Sequence, residues 1–196
     1  DSAAAGVGVA TQAEALSGRL AALLGESFRV RWKLKARTGM RARDAVAELE
    51  AAPPERFDVA VTSIGVNDVT HGTGESTWID RQARMVELLR SKCGAKHIIL
   101  SGVPPMHLFP AFPQPLRWYL GERAKRFNRA LEAFARSCKD CEFAALNFPM
   151  EPACMAADGF HPGARAYSLW AACVGGIIRR RLRHEAPEPL RFAWRC

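Results

Sequence analysis

No stretch of this chain approaches the roughly 18–20 consecutive apolar residues that a membrane-crossing helix needs. Cysteine is sparse and scattered: six residues, at 93, 138, 141, 154, 173 and 196, too dispersed for a disulfide framework. Cys138-x-x-Cys141 stands without a second such pair, and a structural zinc site needs four ligands at readable spacing, so no metal is expected. Cys93 and Cys173 read as small hydrophobes in the core. Phosphate-cradling glycine patterns are missing: neither Gly-x-Gly-x-x-Gly after a strand nor Gly-x-x-x-x-Gly-Lys-[Ser/Thr] occurs. Gly-x-Ser-x-Gly, Ser-x-x-Lys and His-Glu-x-x-His are equally absent, which removes several common hydrolytic machineries. There is no internal repeat and no linker.

The chain has 196 residues, of which 48% are hydrophobic and 24% charged, enough for one domain with a real core. The formal net charge is +8, and much of the excess comes late, at Arg179, Arg180, Arg181, Arg183, Arg191 and Arg195. Such a cluster suits an anionic membrane or nucleic acid. The plainer reading is a solvated helix end that complements the helix dipole. No nucleic-acid module accompanies the charge and aromatics are not interleaved with it, so nucleic acid is not an expected partner, while peripheral membrane contact stays open. Compartment and oligomeric state are not readable.

Apolar spacing alternates between helical and strand periods, the pattern of an α/β protein. Residues 11–24 read as a helix opened by Thr11 and Glu14 and lined by Leu16, Leu20, Leu23 and Leu24. Residues 28–35 alternate strictly, as a half-buried strand with a cationic outer face suited to a sheet edge. A helix is expected over 41–49, and 57–64 is a nearly continuous apolar strand of the kind covered on both faces. Further helices are expected over 76–89 and 116–135, and strands over 97–100 and 141–146. Pro162 suits the first turn of a last helix reaching 182.

Four fragments carry chemistry. Asp1-Ser2 offers a hydroxyl beside a helix start, although alone it is simply a good N-cap dipeptide. Gly39 follows the 28–35 segment, where a glycine lets backbone approach an anion closely; alone it is a turn. Gly65-Val66-Asn67-Asp68 ends an apolar strand, the place where open parallel sheets bind ligands. The Asn67 amide is a fixed donor there, and Asp68 is expected to brace the loop. Asp158-Gly159-Phe160-His161 precedes a helix, and its three-residue offset can bring a carboxylate onto the imidazole Nδ1, leaving the other nitrogen for a serine. Alone, that pair is a capping arrangement. The other four histidines have no comparable partner in sequence. His97 reads as structural, His184 belongs to the basic end, and His71 and His107 lie in loops near the expected cleft.

These fragments, in this order, resemble the blocks of the GDSL/SGNH hydrolase family. The resemblance implies a catalytic Ser2 with His161 as base and Asp158 orienting it. It also implies an oxyanion hole from the N–H groups of Ser2 and Gly39 and the Asn67 amide, with no cofactor. The fold it implies is a three-layer α/β/α domain with a mostly parallel sheet of order 2-1-3-4-5, over residues 1–186, with a tail at 187–196. The four strands read here would be the second to fifth, and the first is expected upstream of Asp1. The activity implied is cleavage of carboxylic esters of small or lipid-like acyl groups through an acyl-enzyme. A carbohydrate O-deacetylase, or a non-catalytic basic module for anionic membrane or nucleic acid, are the alternatives. The loop at 104–115 carries Met106, Phe109 and Phe112, which suit either an acyl pocket or anchors on the core.

Overall fold

The structure, a computed structural model, describes residues 1–146 and 151–185; the expected tail at 187–196, with Arg191, Arg195 and Cys196, lies outside the described residues. The helices are α1 (Ser2–Ala5), α2 (Leu16–Gly25), α3 (Ala42–Ala51), α4 (Val66–Thr70), α5 (Glu75–Ser91), α6 (Leu116–Ser137) and α7 (Ala164–Glu185). Three parallel strands, β1 (Val59–Ser63), β2 (His97–Ser101) and β3 (Cys141–Ala144), lie in the order β1-β2-β3.

The two-residue strand period assigns the layers. On β2, Ile98 and Leu100 join a core with Trp78, Val86, Phe127 and Leu131, contributed by α5 and α6. Ile99 points the other way, into a core with Tyr167, Trp170 and Val174 of α7 and with Leu16 and Leu24 of α2. Both faces are thus covered, and every residue of β2 is buried. Helix α6 shows the matching helical period: Leu120, Ala124, Phe127, Leu131 and Ala135 form its buried stripe. The Trp78 indole stacks on Phe127 with ring centroids 4.4 Å apart.

The α/β class and the parallel sheet match expectation, but only three strands form instead of four among the described residues. Residues 28–35 are not part of the sheet. Their side chains still alternate at Phe28, Val30 and Leu34, which turn inward, but Trp32 is 51% exposed. Among the described residues its backbone has no ladder to join. A groove of about 230 Å³ is lined by Lys33, Leu34 and Lys35 and by Val59, Val61 and Ser63 of β1.

Smaller departures have local causes. Helix α2 begins at Leu16, not at 11, because Gln12 is diverted: its side chain donates to the Ala5 carbonyl and accepts from the Ser17 hydroxyl. Helix α7 begins at Ala164 because Pro162 instead pairs with Met155 in an antiparallel bridge. Cys173 is exposed, not a core residue, with its thiol 3.8 Å from the Ala145 carbonyl.

Trp78→Ala would empty the centre of the larger core. It is expected to cost about 3–5 kcal/mol, read as a lowered urea midpoint at unchanged slope.

Candidate active site

Ser2 opens α1 at the carboxyl end of the sheet. The Asp1 carboxylate accepts from the Ala4 N–H at 3.1 Å and from the Ser63 hydroxyl at 3.4 Å, which caps α1 and ties its start to the last residue of β1. From α7, the buried Tyr167 hydroxyl lies 2.8 Å from the Ala3 carbonyl and 2.7 Å from that of Val7, at both ends of the turn that carries Ser2. Burial pushes the Tyr167 phenol well above its usual range, so it serves as a neutral donor. Gly8 is a position that admits only glycine. Its φ is 103°, in the left-handed region, and a Cβ there would stand 2.3 Å from the Pro162 carbonyl oxygen. The loop after Ser2 and the loop of His161 touch backbone to backbone at that point.

Asp158 organises the second loop. Its Oδ1 accepts the N–H groups of Phe160 and His161, each at 2.9 Å, and its Oδ2 accepts from His161 Nδ1 at 2.5 Å. With that proton on Nδ1, Nε2 carries a lone pair and accepts the Ser2 hydroxyl at 3.1 Å. Burial alone would raise the Asp158 carboxyl. The His161 imidazole and the two backbone donors outweigh it and bring the carboxyl down to about 2. Residues 159 positions apart in sequence thus complete one hydroxyl–imidazole–carboxylate relay.

Gly39 and Asn67 are brought together as neighbours. Gly39 adopts φ 76°, and the next carbonyl, of Met40, accepts from Asn67 Nδ2 at 3.0 Å. That uses one of the two amide hydrogens and leaves the other for a ligand. Asp68 braces as expected: its fully buried carboxylate accepts from the Ala42 N–H at 2.9 Å, holding the start of α3 to α4. Burial pushes the Asp68 carboxyl up, opposed by that bond and by Arg81 nearby. Arg123 of α6 then grips α4 at the Val69 carbonyl and the turn after it at the Thr73 carbonyl.

Beside Ser2 and His161 lies a cavity of about 40 Å³ whose walls include Val103, Phe109, Leu146, Met155 and Phe160. Of the three pocket residues read from the sequence, only Phe109 lines it. Met106 packs in the core with no exposed surface, and Phe112 stands behind, stacked on Phe109 and edge-on to Phe160. Leu146, Met155, Phe160 and Asn128 were not legible as site residues. Asn128 satisfies both backbone groups of Val103, at 2.7 and 2.8 Å, and so fixes one wall from α6. No local motif marks such a contact across 25 residues.

His71 sits at the end of α4, with Nδ1 2.8 Å from the Asn67 carbonyl. His97, read as having no carboxylate partner, has one: Nε2 is 2.9 Å from Glu142 on β3. It stands at the amino end of β2, away from the carboxyl ends that carry Ser2, and cross-strand register is what a linear reading cannot supply.

A hydroxyl, an imidazole and a carboxylate in series at the carboxyl edge of a parallel sheet are the arrangement of a serine-hydrolase class of α/β protein. The model of the GDSL-like lipase/acylhydrolase family matches residues 1–169, and the chain belongs to that family, one of carboxylic-ester hydrolases. The GDSL-like esterase Rv1075c of Mycobacterium tuberculosis is 31% identical over 202 residues, covering 97% of this chain; the chain spans 63% of that relative's length. In fold the chain is similar to the crystal structure of TesA (TM-score 0.68, 23% identity, 92% of this chain and 95% of that one). It is also similar to a lipolytic protein of the G-D-S-L family from Veillonella parvula (TM-score 0.71, 16% identity, 92% and 95%).

Asp158→Asn is expected to keep the circular dichroism spectrum and to lower kcat/KM by roughly 10³–10⁴-fold through a misdirected imidazole. With a folded carboxyl near 2, below the ordinary carboxylate value, its charge-linked stabilisation is present above about pH 4 and fades only as pH falls through about 2. The wild-type activity profile should therefore show no Asp158 limb above pH 4.

Proposed function

We propose that this chain hydrolyses carboxylic esters of short acyl groups, with Ser2 as nucleophile, His161 as base and Asp158 as its orienting carboxylate. The observation that carries the reading is the continuous relay, 3.1 Å from Ser2 Oγ to His161 Nε2 and 2.5 Å from Nδ1 to Asp158. As Ser2 Oγ bonds to the acyl carbon, its proton passes to Nε2 and the carbonyl electrons move onto oxygen. The N–H groups of Ser2 and Gly39 and the second Asn67 amide hydrogen are assigned to that oxyanion. Collapse expels the alcohol, protonated by His161, and leaves an acyl-serine. A water deprotonated by the same imidazole then releases the acid and restores the hydroxyl.

The acyl length follows from space. On the measure in which one water needs about 10–15 Å³, the cavity of about 40 Å³ holds an acetyl to butyryl group. Its aromatic wall, Phe109 and Phe160 backed by Phe112, suits an apolar acyl chain. An acetylated carbohydrate is the second reading, since its acetyl group fits equally; acetate release from acetylated glycans would identify it.

The groove beside β1 supports the expectation of a strand upstream of Asp1. A chain carrying that segment should show the amides of Val59 and Val61 protected from hydrogen exchange, and fast exchange at both would remove the assignment.

Against p-nitrophenyl esters, kcat/KM should peak between two and four acyl carbons and fall at least about tenfold by eight. Ser2→Ala should lower turnover by at least about 10³-fold and abolish labelling by a fluorophosphonate. Rising activity through eight carbons would refute the acyl assignment, and labelling that survives Ser2→Ala would refute the nucleophile.

A further inference from the structure

Most large exposed apolar side chains of the described residues are concentrated at one place. Trp118 (61% exposed), Tyr119 (49%) and Leu116 (44%) form the first turn of α6, and Leu108 (46%) belongs to the short 3₁₀ turn packed against it. Gly121 permits that packing, since a Cβ there would stand 2.4 Å from the His107 Cβ. The Arg123 guanidinium lies 5.8 Å from the centroid of the Tyr119 ring, and Leu108, Leu116 and Trp118 stay exposed. Isolated exposed leucines need no explanation, but a Trp, a Tyr and two leucines gathered on one tip do.

The charge around the tip indicates what covers it. Lys125 and Arg129 lie seven and eleven residues beyond Trp118, and Arg126 seven beyond Tyr119, so exposed cations continue the faces that the aromatics begin. Seven residues of helix advance about 10 Å. Between 116 and 131 the chain has one acidic residue, Glu122, and it is paired with Lys125. Indole and phenol above a cationic belt match a bilayer surface, where amphipathic rings sit at headgroup depth and cations meet lipid phosphates. No helix of the described residues is long and apolar enough to cross a membrane, so contact would be peripheral.

We infer that the amino-terminal tip of α6 docks on anionic phospholipid bilayers. The tip differs from the late arginines of α7 in its aromatics: among the described residues of α7, Tyr167 and Trp170 are buried, and Arg179 is tied to Glu26 and Leu23 and Arg181 to the Lys139 carbonyl. The loop that joins Leu108 to Leu116 reaches the candidate site. The Ala111 N–H donates to the Gly159 carbonyl at 3.3 Å, and Phe112 meets Phe160 beside His161. Docking through the tip would thus bring the loop that contacts Gly159 and Phe160 to the membrane surface. Delivery of substrate rests on the hydrolase reading, whereas docking does not.

The test is co-sedimentation with vesicles of phosphatidylcholine alone and of equal phosphatidylglycerol and phosphatidylcholine. Binding should require phosphatidylglycerol and weaken steeply with salt. The double substitutions W118A/Y119A and R126E/R129E should each reduce it at least tenfold, with turnover of soluble p-nitrophenyl acetate unchanged by W118A/Y119A. Ser2→Ala should bind as the wild type does, which separates docking from catalysis. In the unaltered protein, brominated phosphatidylglycerol should quench tryptophan emission, and W118F should remove the quenched share; this readout holds even where a double substitution fails to fold. Absence of binding to the anionic vesicles overturns the proposal. So does binding that survives both double substitutions, quenching undiminished by W118F, or loss of binding with R180E/R181E alone, which would shift the contact to α7.

Discussion

The contact between Gly8 and the Pro162 carbonyl is the constraint on which the candidate site turns. A side chain at Gly8 would need to occupy space only 2.3 Å from that oxygen, so a hydrogen atom is the largest substituent the junction tolerates. Two loops from opposite ends of the chain close there, and the Ser2–His161 bond lies beside the seam. Tyr167 reinforces the closure from α7, with its hydroxyl between the Ala3 and Val7 carbonyls. Hydrogen bonds of this kind contribute little individually, about 1 kcal/mol net. Their value here is positional, because displacement of about 1 Å at a reacting atom can cost 10²-fold in rate.

A second set of braces holds Gly39 and Asn67. Asn67 spends one amide hydrogen on the Met40 carbonyl beside Gly39, while Asp68 fastens α3 through the Ala42 N–H. The two residues adjoin in sequence and bind adjacent parts of one loop, so α4 acts as a clip between the ends of two layers. Arg123 and Asn128 of α6 support this clip and the Val103 wall from outside. The buried carboxylate of Asp68 is an expensive element, and its cost is offset by the backbone donor and by Arg81 at the surface side.

The short motifs were legible because each encodes a local conformation. Asp158 and His161 pair within one turn, and a three-residue offset suffices to predict the carboxylate–imidazole bond. Gly65 to Asp68 announces a strand end, and β1 stops at Ser63 just before it. The period of residues 116–135 was equally readable, and α6 spans Leu116–Ser137. Residues 28–35 show the limit of such reading. Their alternation is genuine, yet a strand exists only where a neighbour offers a ladder, and no property of the segment itself supplies one. Gln12 is a similar case, since its diversion to Ala5 and Ser17 displaced the start of α2.

Linear order therefore determined the α/β class, the chemical identity of the relay and the short turns that present it, because these depend on residue type and on spacings of three to four positions. Folding in three dimensions determined which apolar residues line the cavity. Met106 and Phe109 lie three apart in one loop, yet Met106 is sealed in the core and Phe109 faces the cavity beside Ser2. It likewise determined that His97 meets Glu142 and that Asn128 holds Val103. The physical reason is that burial and pairing of this kind depend on the relative placement of layers, which arises from packing summed over the whole chain and is written in no single stretch of it.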